Sequence, residues 1–211
     1  MMFSAFLSRF ALPLFSVAVL ATSASATAQT ESPDALIKGI TGEVIAVIKA
    51  DKDIQNGDPK KIGALVETRI LPHFNFARMT QSAVAVSWRR ATPDQQKQLT
   101  DEFRSLLVRT YSNALSLYRD QTIEFKPLRA RPDDTDVTVQ SEVRRRSSPQ
   151  PVTIDYDLEK TASGWKVYDV KVGGVSLIAA YQGDFANQIR ESGIDGLIKT
   201  LAAKNRPAAK G

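Results

Sequence analysis

Hydrophobic residues recur at steps of three and four along residues 33–50, where Leu36, Ile37, Ile40, Val44, Val47 and Ile48 share one face. That period predicts an amphipathic helix. Asn56-Gly57-Asp58-Pro59 then reads as a turn, with Asp58 as the N-cap of a second helix and Pro59 at its first position. Ile62, Leu65, Val66, Arg69 and Ile70 continue that helix, and Pro72 stops it at about Leu71. Residues 74–88 read as short helical pieces. Thr92-Pro93-Asp94-Gln95 is the clearest start signal: a threonine cap, a proline, and a glutamine three residues on. A long helix is predicted from Pro93 to about Tyr118, with Leu99, Phe103, Leu106, Leu107, Thr110, Tyr111, Ala114 and Tyr118 in its broad stripe.

From Thr122 the period falls to two. Ile123 and Phe125 alternate with polar residues, as do Val137, Val139 and Val143, and then Val152, Ile154, Tyr156 and Leu158. A fourth strand covers Trp165 to Val172, with Tyr168, Val170 and Val172 assigned to one face and Trp165 and Val167 to the other. Turn residues at 132–134, 147–149 and 162–164 separate these runs. Connections this short predict an antiparallel meander with one apolar face. Gly173-Gly174 ends the sheet, and residues 175–189 read as a helix with Val175, Ile178, Phe185 and Ile189 on one side. Gly193 is its expected C-cap. Residues 194–201 form a short last helix, and the Pro-, Ala- and Lys-rich tail 205–211 is expected to be disordered.

The expected architecture is α+β: a four-stranded antiparallel sheet packed by several helices, with the long helix and the 175–189 helix covering its apolar face. Periodicity alone leaves two interiors open. One is a solid core; the other is an apolar pocket between sheet and helices.

The first residues change the picture. Arg9 precedes an apolar run of about eleven residues, Phe10 to Leu20, and then Ala24-Ser25-Ala26 and Ala26-Thr27-Ala28 fit a small-residue cleavage rule. Residues 1–28 are therefore expected to be a cleaved export signal, cut after Ala26 or Ala28, too short for the roughly 20 apolar residues of a membrane span. The expected location is the periplasm. The chain has 211 residues, no cysteine and one histidine, which excludes disulfides, thiol chemistry and multi-histidine metal sites. Its net charge of +5 is mild, and an exported chain of such balance is not expected to bind nucleic acid.

Little else carries chemistry. His73 follows Pro72 at a helix stop, a capping or packing place more than a base. Asp133, Asp134 and Asp136 lie in a turn without the glycine and distal glutamate of an EF-hand loop. Arg144-Arg145-Arg146 is read two ways, as a soluble hairpin tip or as a patch for an acidic partner or a lipid phosphate. Gly173-Gly174 lacks the Gly-Lys-Ser/Thr of a phosphate loop. Nothing assembles nucleophile, base and oxyanion donors, so no cofactor, metal or catalytic residue is assigned.

Three blocks carry a resemblance. They are Leu71-Pro-His-Phe-Asn-Phe-Ala-Arg-Met79; Trp88-Arg-Arg-Ala-Thr-Pro-Asp-Gln-Gln96 with Phe103, Leu107, Tyr111 and Tyr118; and Gly164-Trp-Lys-Val-Tyr-Asp-Val-Lys-Val-Gly-Gly-Val-Ser-Leu177 with Tyr181, Phe185 and Gly193-Ile-Asp-Gly-Leu197. In this order, after an export signal, they resemble the periplasmic phospholipid-shuttle family MlaC, also called the toluene-tolerance family. The resemblance implies one lipid-binding domain over residues 29–204, monomeric and not an enzyme, with a deep pocket for the acyl chains of a glycerophospholipid and the headgroup left in solvent. It implies transfer between an outer-membrane lipoprotein–porin complex and an inner-membrane ABC transporter complex, in support of outer-membrane asymmetry. Gln182 stands after Tyr181 where the family often has arginine. The expected lining residues are Leu107, Tyr111, Val139, Ile154, Tyr156, Tyr168, Val170, Val175, Ile178 and Phe185. The competing readings are an exported small-molecule-binding enzyme built around His73 and an aspartate, and an adaptor with a solid core.

Overall fold

A computed structural model describes residues 31–145 and 148–206. The expected export signal, Arg146 and residues 207–211 lie outside the described residues. Helix α1 (Pro33–Ala50) starts where Ser32 Oγ accepts from the Ala35 amide, with proline in its first turn. Asp51 caps the short α2 (Lys52–Gln55), and Asp58 caps α3 (Pro59–Leu65) by accepting the amides of Lys60 and Lys61. The chain continues through a π turn, Val66–Ile70, and a 3-10 turn, Leu71–His73, into α4 (Phe76–Val84). A second 3-10 segment, Ala85–Arg90, precedes α5 (Pro93–Tyr111), whose capping box forms as expected between Thr92 and Gln95.

Helix α5 is shorter than the sequence predicts, because Ser112–Leu117 tightens to 3-10 geometry. In that segment Ser112 Oγ donates to the Val108 carbonyl and Ser116 Oγ to the Asn113 carbonyl.

The sheet is an antiparallel meander of five strands in the order β1 (Thr122–Phe125), β2 (Asp136–Arg145), β3 (Ser148–Thr161), β4 (Gly164–Val172) and β5 (Val175–Ser176). The fifth strand is two residues long, where a helix start was expected. Gly173 and Gly174 both take positive φ, 59° and 81°, in the tight turn that returns the chain onto β4. Helix α6 (Ala179–Asn205) follows; Gly193 breaks its regularity with φ 72° and ψ −178°, dividing it where a C-cap was expected. It extends past Lys204, and Asn205 Nδ2 donates to the carboxylate and carbonyl of Glu102 on α5.

The main correction concerns which helix covers the sheet. Helix α1 does: Ile37, 3% exposed, packs with Val137, Val139, Leu158 and Val167. Helices α4, α5 and α6 pack chiefly on one another, around Met79, Ala83, Leu99, Phe103, Leu107, Phe185, Ile189, Leu197 and Leu201. Leu99, Phe103 and Leu107 of the expected α5 stripe are buried, while Thr110, Tyr111 and Ala114 are exposed, and a helix stripe does not say whether a sheet or another helix will face it.

Candidate functional site

Two apolar chambers lie between these layers. The first has a volume of about 330 Å³. Helix α1 forms one wall with Ile37, Ile40, Thr41, Val44, Ile45 and Ile48. The opposite wall is the inner sheet face, with Ile123, Val143, Arg145, Ile154, Tyr156 and Val167. Ala114, Leu115, Leu117, Tyr118 and Gln121 close one side. The second chamber, about 170 Å³, lies toward α4 and α5 and is lined by Val66, Leu71, Phe76, Met79, Leu107, Val108, Tyr111, Val170 and Leu177. Ile70, Phe74 and Leu115 border both chambers and so form the partition between them.

The partition is held by backbone. Phe74 bridges Val167 on β4, the Asn75 amide donates to the Val167 carbonyl at 2.8 Å, and Lys166 Nζ donates to the Pro72 carbonyl at 2.6 Å. Asn75 Nδ2 and Arg78 both donate to Glu159 on β3. Residues 72–78 are thereby tied to the sheet, which fixes the Phe74 ring in place.

Strand parity explains the walls. Val139 opposes Tyr156, Ser141 opposes Ile154 and Tyr156 opposes Val170, so these residues share the inner face. On β4 the register slips between Asp157 and Leu158: Asp157 pairs with Asp169, but Leu158 pairs with Val167. Tyr168 is the extra residue. This bulge overturns the expected split of β4 and brings Val167 and Val170 to the same face.

Of the expected lining residues, the structure brings Ile154 and Tyr156 to the first chamber and Leu107, Tyr111 and Val170 to the second. The other five stand elsewhere. Val139, 1% exposed, is packed solid beneath α1. Tyr168 is turned to the outer face by the bulge, and the Arg78 guanidinium stacks 3.5 Å over its ring. Val175, on β5, is 65% exposed. Ile178 and Phe185 are buried in the helical core, because α6 faces α5 and not the sheet. The missed residues are those of α1, the partition and the 112–118 segment. The apolar stripe of α1 was legible and was the available signal; only its partner was not.

Among the described residues Arg145, at an edge, is the one ionised group that lines the chambers. Burial pushes the Tyr156 hydroxyl above its ordinary pKa, and burial with a hydrogen bond to Tyr181 pushes Tyr111 up to about 12. Both are neutral at physiological pH. The outer sheet face differs: its groove is lined by Arg129, Asp136, Asp155, Asp157 and Lys171, and Asp157 pairs with Lys171 at 2.7 Å.

The candidate chemical residues are occupied structurally. Asp134 accepts from Arg131, and Asp136 pairs with Arg78. Among the described residues no group of three or more His, Asp or Glu is placed to hold a metal. Burial, then Lys166, lowers the pKa of His73, so its ring is neutral at pH 7. Gln182 donates to the Ser82 carbonyl, outside both chambers. No helix among the described residues is long and apolar enough to cross a membrane.

Known proteins are similar to this chain. A solved structure of a phospholipid-binding protein from Ralstonia solanacearum, in complex with a phospholipid, is 42% identical and superposes with a TM-score of 0.76 over 83% of this chain and 97% of that one. The toluene tolerance protein ttg2D of Pseudomonas putida is 27% identical over 184 residues, covering 83% of this chain and 80% of its own. The intermembrane phospholipid transport system binding protein MlaC of Haemophilus influenzae is 23% identical over 179 residues, 84% of this chain and 83% of its own. The family model described as MlaC protein matches residues 38–203, which take in most of α1, the partition, the whole sheet and nearly all of α6, and the chain belongs to the MlaC family.

Proposed function

We propose that this protein is a non-enzymatic, periplasmic phospholipid carrier. It holds acyl chains in the two chambers and takes lipid between an outer-membrane lipoprotein–porin complex and an inner-membrane ABC transporter complex. The observation that supports this most directly is the pair of adjoining apolar chambers partitioned by Ile70, Phe74 and Leu115, in a chain of this family. The Ralstonia solanacearum relative is a phospholipid complex, which supports the same ligand class here.

The energetics fit a carrier. About 30 acyl methylenes at about 0.8 kcal/mol each hold a lipid in its bilayer by roughly 24 kcal/mol. Crossing water without a carrier is therefore negligible, and an apolar lining must offset most of that cost. Conversely, an empty apolar hollow is expensive. The first chamber opens to solvent, so without a ligand its apolar walls stay in contact with water at about 25 cal/mol per Å². Acyl chains filling it recover that cost. Tail burial needs no polar catalyst, which is why the walls are Ile, Val, Leu and aromatic side chains.

Mass spectrometry of an organic extract of the purified protein tests the reading. Glycerophospholipid near one molecule per chain is expected. Repeated preparations without lipid, and failure to load it from detergent, would overturn it.

A further inference from the structure

The last two described residues of β2 meet opposite environments. Arg144 faces outward, where its guanidinium donates to Glu124 at 3.3 Å and to Glu142 at 2.8 Å. Past Val143, which opposes Val152, the pairing with β3 shifts register before Arg145 meets Ser148, and Arg145 lines the first chamber beside Val143 and Ile154. No Asp or Glu lines that chamber. Among the described residues the Arg145 side chain has neither an ion pair nor a hydrogen bond. It is also exposed, as is Leu117, which is 68% exposed, so these two residues mark where the chamber meets solvent.

An unpaired guanidinium at the mouth of an otherwise apolar hollow is matched to a ligand whose tails are apolar and whose polar end begins with an anion. We propose that Arg145 is the phosphate anchor of this site. When acyl chains occupy the first chamber, its planar fork of N–H donors takes the phosphodiester oxygens of the same lipid molecule. The inference rests on the carrier reading and adds to it a recognition element for phospholipid over other diacyl lipids. The chemistry suits arginine: it stays charged at every physiological pH and binds two phosphate oxygens at once. Its aliphatic stem continues the apolar wall while the charged end stays hydrated until the phosphate arrives. The contrast with Arg144 carries the argument: the two arginines share the same strand end, and among the described residues the one at the chamber has no carboxylate partner.

The test compares two lipids with identical acyl chains, phosphatidylglycerol and diacylglycerol, offered from the same neutral detergent to delipidated protein and read by native mass spectrometry. The unmodified protein is expected to prefer phosphatidylglycerol about tenfold, the scale of one charge-assisted hydrogen-bonding group. Arg145→Gln brings the preference close to one while diacylglycerol binding is unchanged, which also shows that the variant is folded. Arg145→Lys restores part of the preference. Arg89→Gln, which removes the same charge from an exposed position outside both chambers, keeps all of it. Inorganic phosphate at millimolar concentration displaces neither lipid; competition by phosphate alone would make Arg145 a site for the free anion and overturn the proposal. Equal preference in Arg145→Gln and the unmodified protein would overturn it as well. Binding of both lipids without discrimination defeats the anchor alone, whereas binding of neither defeats the carrier reading with it.

Discussion

Two regions of this protein are built from the same residue classes and end up with opposite interiors. Around α4, α5 and α6 the aromatic rings interlock. Phe103 meets Tyr181 and Phe185 edge-on, with centroids 5.1 and 5.2 Å away, and no exposed surface remains on Phe103. Between α1 and the sheet the facing side chains are mostly branched aliphatics, and they stop short of meeting. Helix α1 packs on the sheet at Ile37, whereas Val44 and Ile48 pack with Ile54, Ile62, Leu65 and Val66 and, with Ile40, border the chamber. Helix against helix closes by interdigitation, whereas one helix against a curved sheet closes only where a side chain is long enough to bridge the gap. The filled region supplies rigidity and the hollow region is free to accept a ligand.

Substitutions sharpen that contrast. The largest effect is expected in the filled region. Phe103→Ala should lose about 4 kcal/mol of stability, read as a lower midpoint in urea, because nothing can collapse into the space. Phe74→Ala comes next. It removes the partition and merges the chambers, but one side of the ring already faces a void, so a loss of about 2 kcal/mol is expected. A loss as large as that of Phe103→Ala would mean the chambers are closed in solution. Narrowing the hollow should cost least in stability. Ile40→Trp should change it by less than about 1 kcal/mol while lowering lipid occupancy several-fold in native mass spectrometry, since the ring enters vacant space without overpacking. Val170→Trp should do the same from the second chamber. Unchanged occupancy in both variants would place the ligand outside the chambers.

The smallest effect is a titration. Tyr111 has its pKa raised from 10.0 to about 12 by burial and by Tyr181. A phenol raised in the folded state binds its proton more tightly there than in the unfolded chain. Its contribution is therefore complete below about pH 10 and fades as pH rises toward 12. Tyr111 is partly exposed, so the change in stability is small, and the direct reading is ultraviolet absorbance. Tyr111 should ionise about two pH units later than a free phenol, and Tyr111→Phe should take one tyrosine out of the late-ionising group, to which burial also shifts Tyr156 and Tyr168.

Much of this was legible along the chain. The caps at Asp58 and Thr92, the change of period at Thr122, the four main strands and the break at Gly193 each follow from local rules, because capping, pleating and glycine conformations are settled within a few residues. The walls were legible only in part. Ile154 and Tyr156 follow from uninterrupted alternation in β3. Tyr168 does not, since the bulge in β4 shifts parity by one residue and no turn residue announces it. Phe185 and Ile178 fall in a stripe that fits a helix or a sheet equally well as partner.

By itself, then, the amino-acid order determined the elements, the absence of thiol chemistry and the family, all of which depend on neighbours in the chain or on residue identity. Tertiary structure alone decided that α1 and not α5 roofs the sheet, that Ile70, Phe74 and Leu115 divide the hollow in two, and that Arg145 lines the first chamber with no ion pair among the described residues. Those outcomes depend on which surfaces meet and how closely, and a gap between two apolar faces is a property of their curvature, which a one-dimensional pattern of polar and apolar residues does not encode.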